Sequence, residues 1–331
     1  MTARRPADSG RMRRLPRLTL LTTLCALLFV SPAAAEVLLG VHGSRARMKS
    51  LTGQRSDGEL AFVGWRKGLD WGGNFERWWP SLGRVPILSL HTRNSRGRED
   101  ITPLGIARGR GDRYLRALGR AINVRGKPII IRPLAEMNGH WNAYSAYNRD
   151  GTRRNAAHSQ ANFRRAFRRI YLILHGGDRA TINAKLARWN MPGIATSLPE
   201  NPAPMLRVLW NPQGYGSPNV RGNRAHVYYP GHGYVDMVGN DLYESGSFGA
   251  TWEANMALFR RYRNKPYAIG EFGLRGVDHP GFIRRMGRFI RNHPRVQLAA
   301  YYSAERGSIF DLGSKPRSRA AYRRYITPLN R

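Results

Sequence analysis

Two glutamates stand where the chain could do chemistry. Glu136 closes the run Pro128-Ile129-Ile130-Ile131-Arg132-Pro133-Leu134-Ala135, and Glu271 closes Pro266-Tyr267-Ala268-Ile269-Gly270. Each follows an apolar run directly and precedes a glycine-containing turn, Met137-Asn138-Gly139 or Phe272-Gly273, suited to exposing a carboxylate. A carboxylate pair is what cleavage of a glycosidic bond requires. One group must hold a proton for the leaving oxygen, and the other must stay charged to attack the anomeric carbon. A separation of about 5–5.5 Å between the two carboxyl groups makes the reaction retaining, and a wider gap makes it inverting. Either glutamate alone reads equally well as a rim ion pair in so arginine-rich a chain. The matched strand-end settings favour the pair.

Side chains that meet across one gap must be carried by elements that converge. Short β-branched runs recur at 37–41, 60–65, 85–91, 128–134, 206–210, 235–242, 266–270 and 296–302. Helical patterns fall between them at 74–82, 112–123, 160–174, 250–262, 281–292 and 319–325. In one of these, Phe163, Phe167, Ile170 and Leu174 make a single apolar stripe. The alternation predicts a parallel sheet with crossover helices. Eight strands in this order fit a closed (β/α)8 TIM barrel. A doubly wound sheet would carry a glycine-rich phosphate turn after its first strand, and Gly40-Val41-His42-Gly43-Ser44-Arg45 is not one. The ends of strands four and seven then face each other across the barrel mouth. The first helix is short, the stretch 212–233 reads as loop, and 176–204 reads as a structural insertion before strand five.

Arg11, Arg13, Arg14 and Arg17, the apolar run 18–30 and Ala33-Ala34-Ala35 predict a signal peptide over 1–35, leaving one glycoside hydrolase barrel over 36–331. A secreted protein is therefore expected, exported to the cell exterior or periplasm and without a membrane anchor once the leader is cleaved. The single cysteine, Cys25, lies in that leader, so the barrel must hold together without disulfides. The formal charge is +34, of which the leader's six arginines and one aspartate supply +5, and the mean hydropathy is −0.51. Such a balance invites anionic wall polymers. However, Arg164-Arg165, Arg168-Arg169, Arg284-Arg285 and Arg323-Arg324 fall on predicted helices at positions expected to face solvent, so a solvated basic exterior is the plainer reading. No zinc-finger or RNA-binding motif is present, and nucleic acid is not expected as a partner. A monomer is the default.

Three blocks carry a resemblance to a known family. Arg132-Pro133-Leu134-Ala135-Glu136-Met137-Asn138-Gly139-His140-Trp141 resembles the acid/base motif of glycoside hydrolase family 26. The run from Tyr228 to Tyr243 resembles that family's sixth-strand region, and Ile269-Gly270-Glu271-Phe272-Gly273 its nucleophile motif. The resemblance implies a retaining endo-β-glycanase of the β-mannanase type, acting on β-linked polysaccharide without a cofactor. It implies Glu136 as general acid/base and Glu271 as nucleophile. It further implies Tyr243 as the residue orienting the nucleophile, Trp141 as a sugar-stacking platform and His91 as a ligand for a sugar hydroxyl, with Asn211 and Asp241 as further cleft candidates. Two positions depart from the family pattern. Ala135 stands where a histidine is usual, and Tyr301-Tyr302-Ser303-Ala304-Glu305 lacks the eighth-strand tryptophan floor, so that Tyr302 substitutes or the floor is absent. These departures leave open a second reading, a non-catalytic glycan-binding barrel at the cell exterior.

The remaining aromatic, histidine and acidic residues weigh less. Tyr144 and Tyr147 follow Glu136 and are cleft candidates; Trp71, Trp78 and Trp79 could line a glycan cleft, but Trp78 and Trp79 read better as packing a helix against the barrel. His140, His226 and His232 lack paired ligand spacing, and no metal is expected. Glu244 and Glu305 are reserve carboxylates.

Overall fold

The computed structural model describes residues 1–2, 37–70, 74–246 and 249–329. Apart from Met1 and Thr2, the predicted leader lies outside the described residues, as does Trp71. Eight parallel strands close in chain order into a barrel: β1 Leu38–His42, β2 Gly58–Val63, β3 Ile87–Leu90, β4 Ile129–Pro133, β5 Leu206–Trp210, β6 Met237–Glu244, β7 Tyr267–Leu274 and β8 Val296–Tyr302. The seam joins first strand to last, with Gly40 opposite Ala300 and His42 opposite Tyr302. The helices are α1 Arg45–Thr52, α2 Phe75–Trp78, α3 Pro103–Ala107, α4 Asp112–Arg125, α5 Gln160–His175, α6 Arg179–Ala187, α7 Gly249–Arg261, α8 Pro280–Asn292 and α9 Pro316–Tyr325. The (β/α)8 barrel expected from the alternation of runs is the observed fold.

The two-residue period of a strand sorts side chains between two cores. Leu60, Ile87, Ile130, Leu209, Met237, Ala268, Leu298 and Ala300 pack together inside the barrel, while Ala61, Leu88, Ile129, Ile131, Val208, Val238, Ile269 and Ala299 pack in the larger cluster with helix residues. The stripe Phe163, Phe167, Ile170 and Leu174 of α5 belongs to that larger cluster and is wholly buried. Ser159 caps α5, accepting from the Asn162 amide at 3.3 Å.

Several expectations shift. The helical pattern at 74–82 is a four-residue α2 followed by a 3-10 turn over Trp79–Leu82 with Pro80 in its first turn. Trp79 is core and Trp78 packs against it, as the packing reading had it. The insertion before β5 contains α6, capped by Asp178, and the short α3 is a further addition. The stretch between β5 and β6 holds only 3-10 turns. The arginine pair on α5 corrects the expectation of solvent-facing charge. Arg169 is buried and bonds Asp112 through two nitrogens, and Arg168 stacks on Trp189 at 3.4 Å while donating to the Pro230 carbonyl at 2.6 Å. Among the described residues, no helix is long and apolar enough to cross a membrane.

Candidate active site

The inward-facing rows of three strands converge below the mouth. On β4, Arg132 sits one inward step above Ile130. On β6, Met237 begins the row that continues through Asp241 to Tyr243. On β7 the row is interrupted. Asn240 pairs with Ile269, but the next residue, Asp241, pairs with Glu271, so Gly270 is the extra residue of a bulge. A bulge re-aims the side chain that follows it. Here it turns Glu271 into the barrel, while Phe272 returns to the outer core. The position requires glycine, since a Cβ on Gly270 would collide with the Asn211 side chain and crowd Asp241 at 2.9 Å. Glu271 thus lies within β7, a strand longer than the predicted 266–270.

Glu136 reaches the same space differently. It lies three residues past β4, in a turn where both Leu134 (φ 51°) and Glu136 (φ 52°) adopt the left-handed conformation. Such residues cost of order 1–3 kcal/mol each and persist where their surroundings hold them. The Leu134 amide donates to Leu90 O at 2.9 Å, the Glu136 amide to Asn211 O at 2.7 Å, and the Glu136 carbonyl accepts from Gly139 at 2.8 Å. The turn is therefore pinned to β3 and to the end of β5.

One carboxylate oxygen from each of Glu136, Asp241 and Glu271 lies within 4.8 Å of the others. Arg132, fully buried, bridges two of them, donating to Glu271 Oε1 at 2.5 Å and to Asp241. These three acids are the donors that could hold a cation, but the guanidinium already supplies the positive charge a cation would bring. The Tyr243 hydroxyl donates to the other oxygen of Glu271. Burial and the charge of Glu271 push the Tyr243 phenol well above its usual range, so it remains a donor. Glu136 accepts from Trp141 Nε1 at 2.8 Å and from the Gln213 amide. Burial, then the charge of Glu271, raises the Glu136 carboxyl above the usual carboxylate range, against the opposing pull of its hydrogen bonds and Arg132. Burial also raises Asp241, against Arg132.

The other predicted site residues separate into those at the mouth and those beneath it. Trp141 is 45% exposed, with the His140 ring 5.2 Å from its own. His91 follows β3, within 3.4 Å of Ser89 Oγ and 3.5 Å of the Tyr144 hydroxyl. Burial, then Arg132, lowers its pKa to about 4, so it is a neutral ring at ordinary pH. Tyr302 is half-buried and stacks on His42, with centroids 4.6 Å apart and planes 27° apart. Asn211 and Asp241 are buried beneath the cleft and bond each other at 2.9 Å. Tyr144 and Tyr147 are also buried, Tyr144 beside His91 at the base of the mouth. Tyr144 anchors the turn by donating to Ala135 O at 2.5 Å, and Tyr147 accepts from Gln160 at 3.1 Å. Glu244 is buried with no exposed side-chain surface, and it lies near His279 at 3.5 Å.

Sequence reasoning missed Arg132, Gln213, His42 and Phe62. An arginine inside an apolar strand run was a visible signal for the first. Gln213 lies in a loop with no recognisable pattern, whereas His42 directly follows the first predicted strand, a strand-end position that could have flagged it. Phe62 is 37% exposed, and its ring meets His42, His91 and Tyr302 at the mouth.

No family model matches the chain. It is 23% identical over 304 residues to Endoglucanase H of Acetivibrio thermocellus, covering 87% of this chain and 30% of that protein, so it spans under a third of that relative's length. Among solved structures it is similar to a Bacillus subtilis mannanase at 20% identity and TM-score 0.54, with 88% of this chain and 86% of that one covered. A family 26 β-mannanase from Bacteroides ovatus aligns at 15% identity and TM-score 0.57, covering 89% of this chain and 90% of that one. The fold is that of the family 26 mannanases. A Cellulomonas fimi endo-β-1,4-mannanase double mutant aligns at TM-score 0.60 and 17% identity, covering 89% of this chain and 72% of that one.

Proposed function

We propose that this chain is a secreted retaining endo-β-glycanase, of the family 26 type, acting on mannan or a related β-linked polysaccharide. The observation that carries the reading is the meeting of Glu136 and Glu271, with carboxylate oxygens within 4.8 Å, across one mouth and in unlike settings. That approach suits double displacement better than the wider gap an inverting enzyme needs for its water. Glu271, held by Arg132 and the Tyr243 hydroxyl, has the fixed orientation a nucleophile requires. Glu136, with its raised proton affinity, protonates the leaving oxygen. Ester formation at Glu271 then removes the neighbouring charge, so Glu136 can act as the base that activates water. Trp141 offers a stacking face beside the acid, while His91, Phe62, His42 and Tyr302 form one cluster of rings at the mouth. In this reading Tyr302 takes the place of the missing tryptophan floor.

The test is release of reducing ends from a panel of β-glycans by residues 36–331, alongside Glu136→Ala and Glu271→Ala. Each substitution is expected to lower the rate by several orders of magnitude while binding persists. Full activity of Glu271→Ala, or a first product with inverted anomeric configuration, would sink the assignment. Ala135 and the absent tryptophan favour one other reading, a barrel that binds glycan without cleaving it. Affinity with no turnover on any glycan of the panel would establish that alternative.

A further inference from the structure

Away from the mouth, the outer faces of α7, α8 and α9 form one continuous surface. Trp252 of α7 meets Phe289 of α8 at 5.5 Å, and Gly287 of α8 lies so close to α9 that a Cβ there would stand 2.5 Å from Tyr325 O. α8 buries Phe282, Ile283, Met286, Phe289 and Ile290, which leaves Arg284, Arg285, Arg288 and Arg291 exposed. Arg284, Arg288 and Arg291 fall at helical spacing, giving a stripe with steps of about 4.5–6 Å along the axis. Arg260 and Arg261 flank it on α7, and Arg323 and Arg324 on α9. Within these three helices the only carboxylate is Glu253.

Among the described residues, none of Arg260, Arg284, Arg288, Arg291 and Arg324 forms an ion pair. Elsewhere the protein does pair its arginines, as at Arg169–Asp112 and Arg47–Asp311. Between α7 and α8 runs a groove of about 440 Å³ lined by Arg260, Arg285, Arg288, Glu253 and His293 over Trp252. Arg285 lies over the Trp252 ring at 4.5 Å, which holds its planar fork in place.

We propose that this face is a docking surface for an acidic polysaccharide, one bearing carboxylates along its length. Only six of the chain's 55 basic residues are lysines. The guanidinium fork matches a carboxylate through two parallel hydrogen bonds, which an ammonium cannot do. A row of such forks, with almost no opposing charge, complements a linear polyanion. The choice of a polysaccharide as occupant rests on the glycan-cleaving reading of the barrel mouth. Docking would hold the mouth near its substrate in a mixed polymer matrix.

The test measures binding of residues 36–331 to polygalacturonate, with unsubstituted mannan and duplex DNA as comparison polymers. The triple variant Arg284→Gln, Arg288→Gln, Arg291→Gln is expected to lose about tenfold in affinity for polygalacturonate at low salt, and raised salt should abolish the difference. A control of equal charge, Arg120→Gln, Arg179→Gln, Arg188→Gln, removes exposed arginines of α4 and the α6 region and is expected to bind as the wild type does. Equal weakening by the control, tighter binding to DNA than to polygalacturonate, or no polygalacturonate binding would overturn the proposal. Turnover of a soluble neutral β-glycan should be the same in both variants, so a failure of docking and a failure of the catalytic reading are separately visible.

Discussion

At the scale of single residues, the centre is a contest over protons. Trp141 and Gln213 both donate to Glu136 and so favour its anion, while burial and Glu271 favour its acid. Gln213→Ala removes one donor to the charged form. Its proton affinity should rise, and the basic limb of the kcat/KM profile should move to higher pH. An unmoved limb would show that Gln213 does not act through Glu136. Tyr243→Phe removes the donor to Glu271 and should lower kcat/KM by about 10- to 100-fold, read from initial rates on the best substrate. His91 is held neutral, with a folded pKa of about 4 against the 6.5 of a free imidazole, so the unfolded chain takes up the proton first as pH falls. Its stabilising effect is full above pH 6.5 and is lost as pH drops towards 4, so His91→Gln should flatten the fall in Tm across that window. At this scale the two glutamates were legible because apolar runs lead straight to them, and Tyr243 and Trp141 were legible with them. Their other partners, Arg132 and Gln213, were not, because they gain meaning only when β4, β5 and β7 are brought together.

Elements set the angles at which those residues meet. The bulge at Gly270 was not legible in the sequence, where Ile269-Gly270-Glu271 reads as a strand simply ending. A strand that stopped there would expose its last residue by position alone, whereas here the strand continues and a single unpaired glycine does the turning. Gly270→Ala should therefore damage the site before the fold, with a loss of activity larger than its loss of stability. Thermal unfolding and rate measurements on the same sample separate the two. Gly287→Ala makes the opposite prediction, since it forces α8 from α9 far from the mouth. It should cost about 1–3 kcal/mol of stability, read by urea unfolding, with activity retained. The buried pair Arg168-Arg169 shows why surface helices were the weakest part of the sequence reading. A charged residue in a helical pattern is assigned outward by default, and an acid such as Asp112 on a neighbouring helix becomes visible only in three dimensions.

For the whole molecule, barrel closure was legible because eight runs alternate with helical patterns and no phosphate-binding turn follows the first. The order of strands needed no further information, since a closed parallel barrel visits its neighbours in sequence. With one cysteine in 331 residues, no intramolecular disulfide can form, so unfolding should be indifferent to reductant. A shift in Tm on adding dithiothreitol would contradict this.

The seam where the barrel shuts has one more consequence. His42 comes from the first strand and Tyr302 from the last, and their stacked rings form one wall of the mouth. A chain cut short after seven strands keeps both glutamates yet lacks that wall, so nascent or clipped forms would carry the reactive groups without the full sugar-binding surface. Joining of the final strand to the first is then the event that both seals the molecule and completes that wall, and removing either ring, by His42→Ala or Tyr302→Ala, should raise KM on the best substrate more than it lowers kcat.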